Sequence, residues 1–265
     1  MENARLPVIG LLHPGEMGAA VGHCLVQRGY QVLWASQARG ADTASRASAA
    51  GLTDIGTVAD LAGEADVILS ICPPHAALDV ARAVADTGSF RALYVDANAI
   101  APATAARVAD VITAVDATYV DGGIIGPPPT SAGHTRLYLS GDQASAARDL
   151  FTGTNVDARI IATGPYSASS IKMAYAAWTK GSSALLLTAL ALAEAEGVTD
   201  DLRAEWALSQ PALESRAQGA ANSAAKKGWR WVAEMEEIAA TMAAAGLPAG
   251  FHEAAAQVYR QEPRQ

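Results

Sequence analysis

Short apolar runs, many of them β-branched, alternate with alanine-rich stretches along the first 164 residues. The runs predict strands at Pro7 to Leu12, Gln31 to Ala35, Val67 to Cys72, Leu93 to Asp96, Thr118 to Asp121 and Thr135 to Ser140. Between them helices are expected, among them Met17 to Arg28, Asp42 to Ala50 and Pro74 to Ala85. Strand and helix in alternation signify βαβ units around a parallel sheet. After Gly164 the strand pattern stops. Ser167 to Gly197 reads as one long helix, apolar on nearly every turn and interrupted only by Gly181, and a helix so apolar is expected to be buried. Further helices are expected at Asp200 to Ala207, Pro211 to Ala217, Gly228 to Ala245 and Gly250 to Tyr259. The pattern therefore divides into an α/β domain over residues 1–164 and an all-helical domain over residues 165–265.

Composition narrows the partners. A chain of 265 residues, 51% of them hydrophobic, can bury the cores of one or two domains. A formal charge of -8 argues against nucleic acid, which needs a basic surface to displace counterions, so a small molecule is the expected partner. Cys24 and Cys72 are the only cysteines and lie in apolar settings, so neither a disulfide framework nor a zinc cage is expected. The acidic run Glu234 to Glu237 has no matching histidine cluster; it reads as a solvated helix face, and no catalytic metal is expected. Met1 to Pro7 lacks a basic region followed by a long apolar run, and Ala184 to Ala193 is too short to span a bilayer before Glu194 and Glu196. No membrane partner and a cytoplasmic location are expected.

The first strand ends in Gly10-Leu-Leu-His13-Pro14-Gly15-Glu16-Met17-Gly18, and a helix begins at once with a further Gly22. A strand, a glycine turn and a helix let backbone approach a pyrophosphate, which the free N–H groups and positive dipole end of the helix attract. Aligned on its last glycine, the G-x-G-x-x-G fingerprint reads His13-Pro14-Gly15-Glu16-Met17-Gly18, with histidine in the first place. A ligand-free packing turn gives the same string. Its position on the first strand of an α/β pattern favours the cofactor and a Rossmann-type domain. After the second strand the chain reads Trp34-Ala-Ser36-Gln-Ala-Arg39, without the carboxylate that binds ribose hydroxyls. Ser36 and Arg39, with Arg46 on the following helix, suit a ribose phosphate, so NADP is expected in preference to NAD. The plainer reading of the two arginines is surface charge.

The chain resembles the superfamily of 3-hydroxyisobutyrate dehydrogenase, 6-phosphogluconate dehydrogenase and imine reductases. The strings that carry the likeness are Gly10 to Gly18, Val120-Asp-Gly-Gly-Ile-Ile-Gly-Pro-Pro-Pro129 and Trp229-Arg-Trp-Val-Ala-Glu-Met-Glu-Glu-Ile238. They are most like a branch of largely uncharacterised NAD(P)-binding oxidoreductases. The resemblance implies a Rossmann domain, a long inter-domain helix, a helical domain that forms a homodimer, and an active site in the cleft between the domains. It implies that Cys72-Pro73-Pro74 packs beside the cofactor, that Asn98 approaches the nicotinamide, and that Lys172 is the acid/base. Partial desolvation among Ile171, Met173 and Ala174 would lower the pKa of that lysine toward the useful range; a lysine snorkelling to solvent is the alternative. Asp121, Gly122, Gly123 and Ile125 are expected along the substrate, with Tyr175, Ala176 and Trp231 on the helical side. Asp121 also reads as a turn former, and His252 as a capping or surface group.

Three departures weaken the hydroxyacid pattern. Ala176 stands where relatives carry a substrate-binding asparagine, Ile125 where they carry a serine, and Ala233-Glu234 replaces a Lys-Asp pair. A less polar substrate follows. The expected function is NADP-dependent hydride transfer between nicotinamide and an alcohol or carbonyl, with NADPH-dependent imine reduction and non-catalytic NADP sensing as alternatives.

Overall fold

The computed structural model describes residues 5–261, so the expectation at Met1 to Pro7 falls partly outside the described range. The chain divides into two compact units after Lys172. The first alternates β1 (Ile9–Leu12), α1 (Glu16–Gln27), β2 (Val32–Trp34), α2 (Ala41–Ala49), β3 (Thr53–Asp54), α3 (Val58–Glu64) and β4 (Val67–Ser70). A 3₁₀ turn at Pro74–Ala76 leads into α4 (Ala77–Ala85), followed by β5 (Leu93–Asp96), α5 (Pro102–Thr113) and β6 (Thr118–Ile125). β7 (Thr135–Ser140), α6 (Ala144–Asp149) and β8 (Val156–Ile160) close the sheet, and the long α7 (Ser167–Ala195) leads into the helical part.

The eight strands lie in the order β3-β2-β1-β4-β5-β6-β7-β8. All neighbours are parallel except β6 and β7. This is a Rossmann-like sheet, and its order reverses between β1 and β4. The two-residue period of the strands sorts the core. Ile9, Leu11, Val67, Leu69 and Val95 face one side with Val21 and Leu25 of α1. Leu12, Ile68 and Tyr94 face the other with Leu61 of α3, Ala81 of α4 and Val108 of α5. Burial on both faces explains why β1 and β4 read as unbroken apolar runs.

Two strands escaped the sequence pattern. β3 has two residues, both exposed, and β8 (Val-Asp-Ala-Arg-Ile) buries only Val156, so neither presents an apolar run. β6 extends past the expected end at Asp121 through Gly122 and Gly123 to Ile125, because its antiparallel ladder with β7 continues to Arg136.

The second unit holds the rest of α7, then α8 (Thr199–Ser209), α9 (Leu213–Ala244) and α10 (Gly250–Arg260). The expected break between Ala217 and Gly228 is absent: α9 is continuous, and its buried side there is the small-residue row Ala217, Ala220, Ala224 and Gly228. Small residues at helical spacing bury a face without the large apolar side chains that mark one in a sequence. The expected burial of α7 also fails. Met173, Ala176, Ala184 and Ala193 are buried, whereas Tyr175, Trp178, Leu185 and Leu192 are exposed. By length and composition alone this 29-residue helix is long and apolar enough to cross a membrane, a span that the ten residues from Ala184 to Ala193 did not reveal.

Glu234 is the clearest correction. It is 7% exposed rather than part of a solvated face, and its Oε1 accepts a 2.7 Å hydrogen bond from Lys180 Nζ. The lysine nitrogen lies 5.7 Å from the centre of the Trp231 ring, Trp231 meets Tyr259 edge-on at 5.1 Å, and Tyr259 Oη donates to the Lys180 carbonyl at 2.7 Å. These contacts tie α7, α9 and α10 together. Removing one partner of a buried pair strands the other charge, so Glu234→Ala is expected to lose about 3 kcal/mol in urea unfolding. A Lys180→Met/Glu234→Met double variant is expected to regain most of it; a double variant as unstable as the single one would show that the charges are not the source.

Candidate functional site

The three glycines after β1 and into α1 do different work. A Cβ at Gly18 would collide with the His13 carbonyl oxygen, and one at Gly22 would come within 2.9 Å of Leu11 and Leu52. Those two glycines exist for packing. Gly15, the N-cap of α1, is different: its backbone (φ -69°, ψ -170°) suits any residue, and an added Cβ meets no atom within 4 Å. Open space thus lies at the amino end of α1, at the reversal of strand order, where unpaired N–H groups and the helix dipole attract anions. Pro14 is buried, Glu16 exposed and Met17 packed against the first core.

A cavity of about 390 Å³ opens at the same strand ends, lined by Leu12 and His13 after β1, Arg39 after β2, and Pro73, Ala76 and Val80 around α4. His13 Nδ1 is buried without a hydrogen-bond partner. Burial, reinforced by the Arg39 charge, pushes its pKa down to about 4, so the ring is neutral at pH 7. Arg39 itself is exposed, on a loop whose Ala38 adopts the left-handed φ of 58° that non-glycine residues rarely take. Ser36 is turned to Asp54, and its side-chain hydrogen bond helps hold that carboxyl below its usual range after the larger contribution from the Gly56 N–H. Arg46 Nε donates to the Pro14 carbonyl at 3.5 Å and Nη2 donates to Thr43 Oγ1 at 3.1 Å, which ties α2 to the glycine turn. Of the three residues expected at a ribose phosphate, Arg39 is the one that lines the cavity.

The turns after β4 and β5 are locked together. Asn98, 2% exposed, accepts from the Cys72 N–H at 2.6 Å and donates from Nδ2 to Ser70 Oγ at 3.1 Å, while its own N–H donates to Asp96 Oδ1 at 2.9 Å. Asn98 was expected to face the nicotinamide; in the structure its amide braces the two strand ends. Burial pushes the Cys72 thiol up to about 12, so it stays protonated. Pro73 is exposed, and Pro74 begins the 3₁₀ turn.

On the next strand Asp121 is fully buried. Its Oδ1 accepts from Ser169 Oγ at 2.5 Å, and its Oδ2 from the Ser169 N–H at 2.8 Å and from Ser140 Oγ at 3.0 Å. Burial raises its pKa on balance, against the opposing pull of these donors. The Asp121 carboxyl, expected along the substrate, anchors the first turn of α7 to β6. The neighbouring glycines serve the same docking. A Cβ at Gly122 would lie 2.7 Å from the Asp96 carbonyl, and one at Gly123 would lie 2.7 Å from the Ala168 carbonyl and 2.9 Å from Lys172 Cβ. Ile125 is buried. Lys172, half-buried, is thus seated directly over Gly123.

The remaining expected residues lie in the second unit: Ala176 is buried, Tyr175 is 46% exposed, and Trp231 packs on Tyr259. Ser70, Ser140 and Ser169 were not read from the sequence. The signal was there for one of them, since Ser70 is a polar residue ending an otherwise apolar strand. Among the described residues, no group of three or more His, Cys, Asp or Glu is placed to hold a metal ion.

Sheet order and the strand–glycine–helix turn together define a Rossmann-like α/β fold. Residues 5–151 match the NAD binding domain of 6-phosphogluconate dehydrogenase, and the chain belongs to this NAD(P)-binding family. Residues 193–261 match a domain of unknown function (DUF1932). An uncharacterized 28.5 kDa protein in the 7S RNA 5' region of Methanothermus fervidus is 28% identical over 144 residues, 54% of each chain; in that match the chain spans about half the length of its curated relative.

Among solved structures, conserved protein MTH1747 of unknown function, similar to 3-hydroxyacid dehydrogenases, gives a TM-score of 0.70 at 25% identity over 96% of this chain and 95% of that one. Mycobacterium tuberculosis 3-hydroxyisobutyrate dehydrogenase with L-serine gives 0.71 at 21% identity, over 97% and 94%. Imine reductase from Myxococcus stipitatus with NADP+ gives 0.61 at 19%, over 96% and 93%. At those identities the last two show a shared fold. The chain is thus a member of an NAD(P)-binding, oxidoreductase-like enzyme family.

The glycine geometry gives a separable expectation. Gly15→Ala should unfold within about 0.5 kcal/mol of the wild type, because its backbone is ordinary and the methyl group meets nothing. Yet it should weaken NADPH binding at least about tenfold in a fluorescence titration, as the methyl group intrudes on the phosphate approach. Gly18→Ala should instead cost about 1–3 kcal/mol of stability. Unchanged NADPH affinity in Gly15→Ala would mean that the dinucleotide does not approach there.

Proposed function

We propose that the protein is an NADP-dependent oxidoreductase of the β-hydroxyacid dehydrogenase type, acting between an alcohol and a carbonyl with Lys172 as acid/base. The observation that carries this reading is the open cradle at Gly15 beside the cavity holding Arg39. The residues present fit a dinucleotide: Gly15 and the amino end of α1 would take the pyrophosphate, and Leu12, Ala76 and Val80 would give the base an apolar slot. Arg39 would pair with a ribose phosphate. When bound, the nicotinamide supplies or receives the hydride.

The chain's own contribution is placement and proton transfer. Asp121 and Ser169 fix the first turn of α7, and Gly123 lets that turn approach the sheet, so Lys172 has one position rather than many. In the oxidative direction the Lys172 amine would accept the hydroxyl proton of the alcohol. In reduction the ammonium returns it to the new alkoxide.

A second reading, imine reduction, is favoured by Ile125 and Ala176. Both are apolar and buried where hydroxyacid dehydrogenases carry groups that bind a polar substrate.

Two variants test the two halves of the proposal. Lys172→Gln should lower kcat by at least about 10²-fold on β-keto acids or aldehydes while NADPH affinity stays within about twofold. Arg39→Ala should weaken NADPH binding by about tenfold and leave NADH binding unchanged. Native turnover in Lys172→Gln would remove the lysine from the chemistry, and equal losses for both cofactors in Arg39→Ala would remove the phosphate contact.

A further inference from the structure

β5 and β6 are parallel neighbours in a register that sets Tyr94 opposite Tyr119 and Asp96 opposite Asp121. The two-residue period puts all four side chains on one face of the sheet. The tyrosine rings stack at 6.5 Å, and both hydroxyls are buried without a hydrogen-bond partner. The two carboxyls, both 1% exposed or less, are treated unequally. Asp121 receives three donors. Asp96 receives the Asn98 N–H on Oδ1, and its Oδ2 has no partner.

Two adjacent buried carboxyls do not both ionise, and the charge goes to the one with the donors. The groups facing Asp96 are Tyr94 on its own strand, Tyr119 and Asp121 on β6, and Cys72 after β4, none of them a cation.

We propose that Asp96 is a positioning residue: its carboxyl, buried beside Asp121 with Oδ2 unpartnered, stays protonated and holds the Asn98 and Cys72 turns in place beside the cofactor cradle. The inference rests on the dinucleotide-binding reading for its functional consequence but not for the protonation itself. Asp96 reaches the cofactor side through one chain of bonds, from its Oδ1 to the Asn98 N–H and from the Asn98 amide to Ser70 and Cys72. A second charge on the pair would repel Asp121 and push the β5 end, with Asn98, away from its seat.

Burial, supplemented by the charge of Asp121, raises Asp96 from 3.8 to about 7, which places the switch in the physiological range. Its sign is fixed by linkage. Between pH 4 and 7 the unfolded carboxyl has lost its proton while the folded one keeps it, so the stability Asp96 contributes falls as pH rises through that window and is gone above it. Affinity for cofactor then falls above pH 7, where the folded protein itself ionises.

The test is NADPH binding by fluorescence titration from pH 6 to 9, together with the thermal midpoint of the cofactor-free protein from pH 4.5 to 9, for wild type and Asp96→Asn. The amide keeps the shape and the acceptor but cannot ionise. Wild-type affinity should fall above pH 7 by up to about tenfold per unit, whereas that of Asp96→Asn should stay within about twofold. The difference in midpoint between the two proteins should change between pH 4.5 and 7 and level off above; contributions from other groups, His13 included, cancel in it. Parallel profiles in both measurements would overturn the proposal. If NADPH binds at no pH, the cofactor reading fails, and the midpoint difference alone decides the protonation of Asp96. Should Asp96→Asn not fold, infrared spectra of the wild type decide: a protonated-carboxyl band that disappears around pH 7 is expected, and its absence overturns the proposal.

Discussion

The buried carboxyl of Asp121 sets how α7 docks on β6 in the first unit. It ends the parallel part of β6, and its three hydrogen bonds from Ser169 and Ser140 bind the amino end of α7 to the sheet. Such a charge is costly to bury unless its lone pairs are filled, and here both oxygens are occupied. Gly122 and Gly123 follow at once because the same docking leaves no room for side chains between β5, β6 and α7. One acid and two glycines thus determine where Lys172 stands. The string expected along the substrate also mounts a helix on the sheet.

The cofactor side is built by division of labour among glycines. Gly18 and Gly22 permit close packing of α1 on the sheet, and Gly15 leaves its space open. Histidine in the first place of the fingerprint is tolerated because burial keeps the ring neutral beside Arg39. A neutral imidazole and an exposed guanidinium at one strand end suit an anionic ligand without crowding two positive charges together. Arg46 contributes at one remove, through its bond to the Pro14 carbonyl.

Much of this was legible in the sequence. Alternation of apolar runs and helical stretches gave the α/β unit, and the loss of that pattern after Gly164 gave the helical one. Legibility ended where burial uses side chains that carry no apolar signal. The row Ala217, Ala220, Ala224 and Gly228 hid the continuity of α9, and the pairing of Lys180 with Glu234 turned an apparently solvated acid into a buried one. The same holds at the site. Asn98 and Asp121 stand out in the sequence, yet no spacing rule tells that Asn98 bonds Cys72 and Ser70, or that Asp121 meets Ser169 48 residues away. Those partners are set by the sheet order, which the sequence pattern leaves undetermined.

The central claim is that the amino end of α1 and the cavity beside Arg39 form a dinucleotide site. Hydrogen exchange with and without saturating NADPH tests it most directly. The account predicts slowed exchange in peptides covering residues 12–18, 36–46 and 71–76, with little change around β7 and β8. Absence of protection at 12–18, or protection confined to the helical unit, would contradict it.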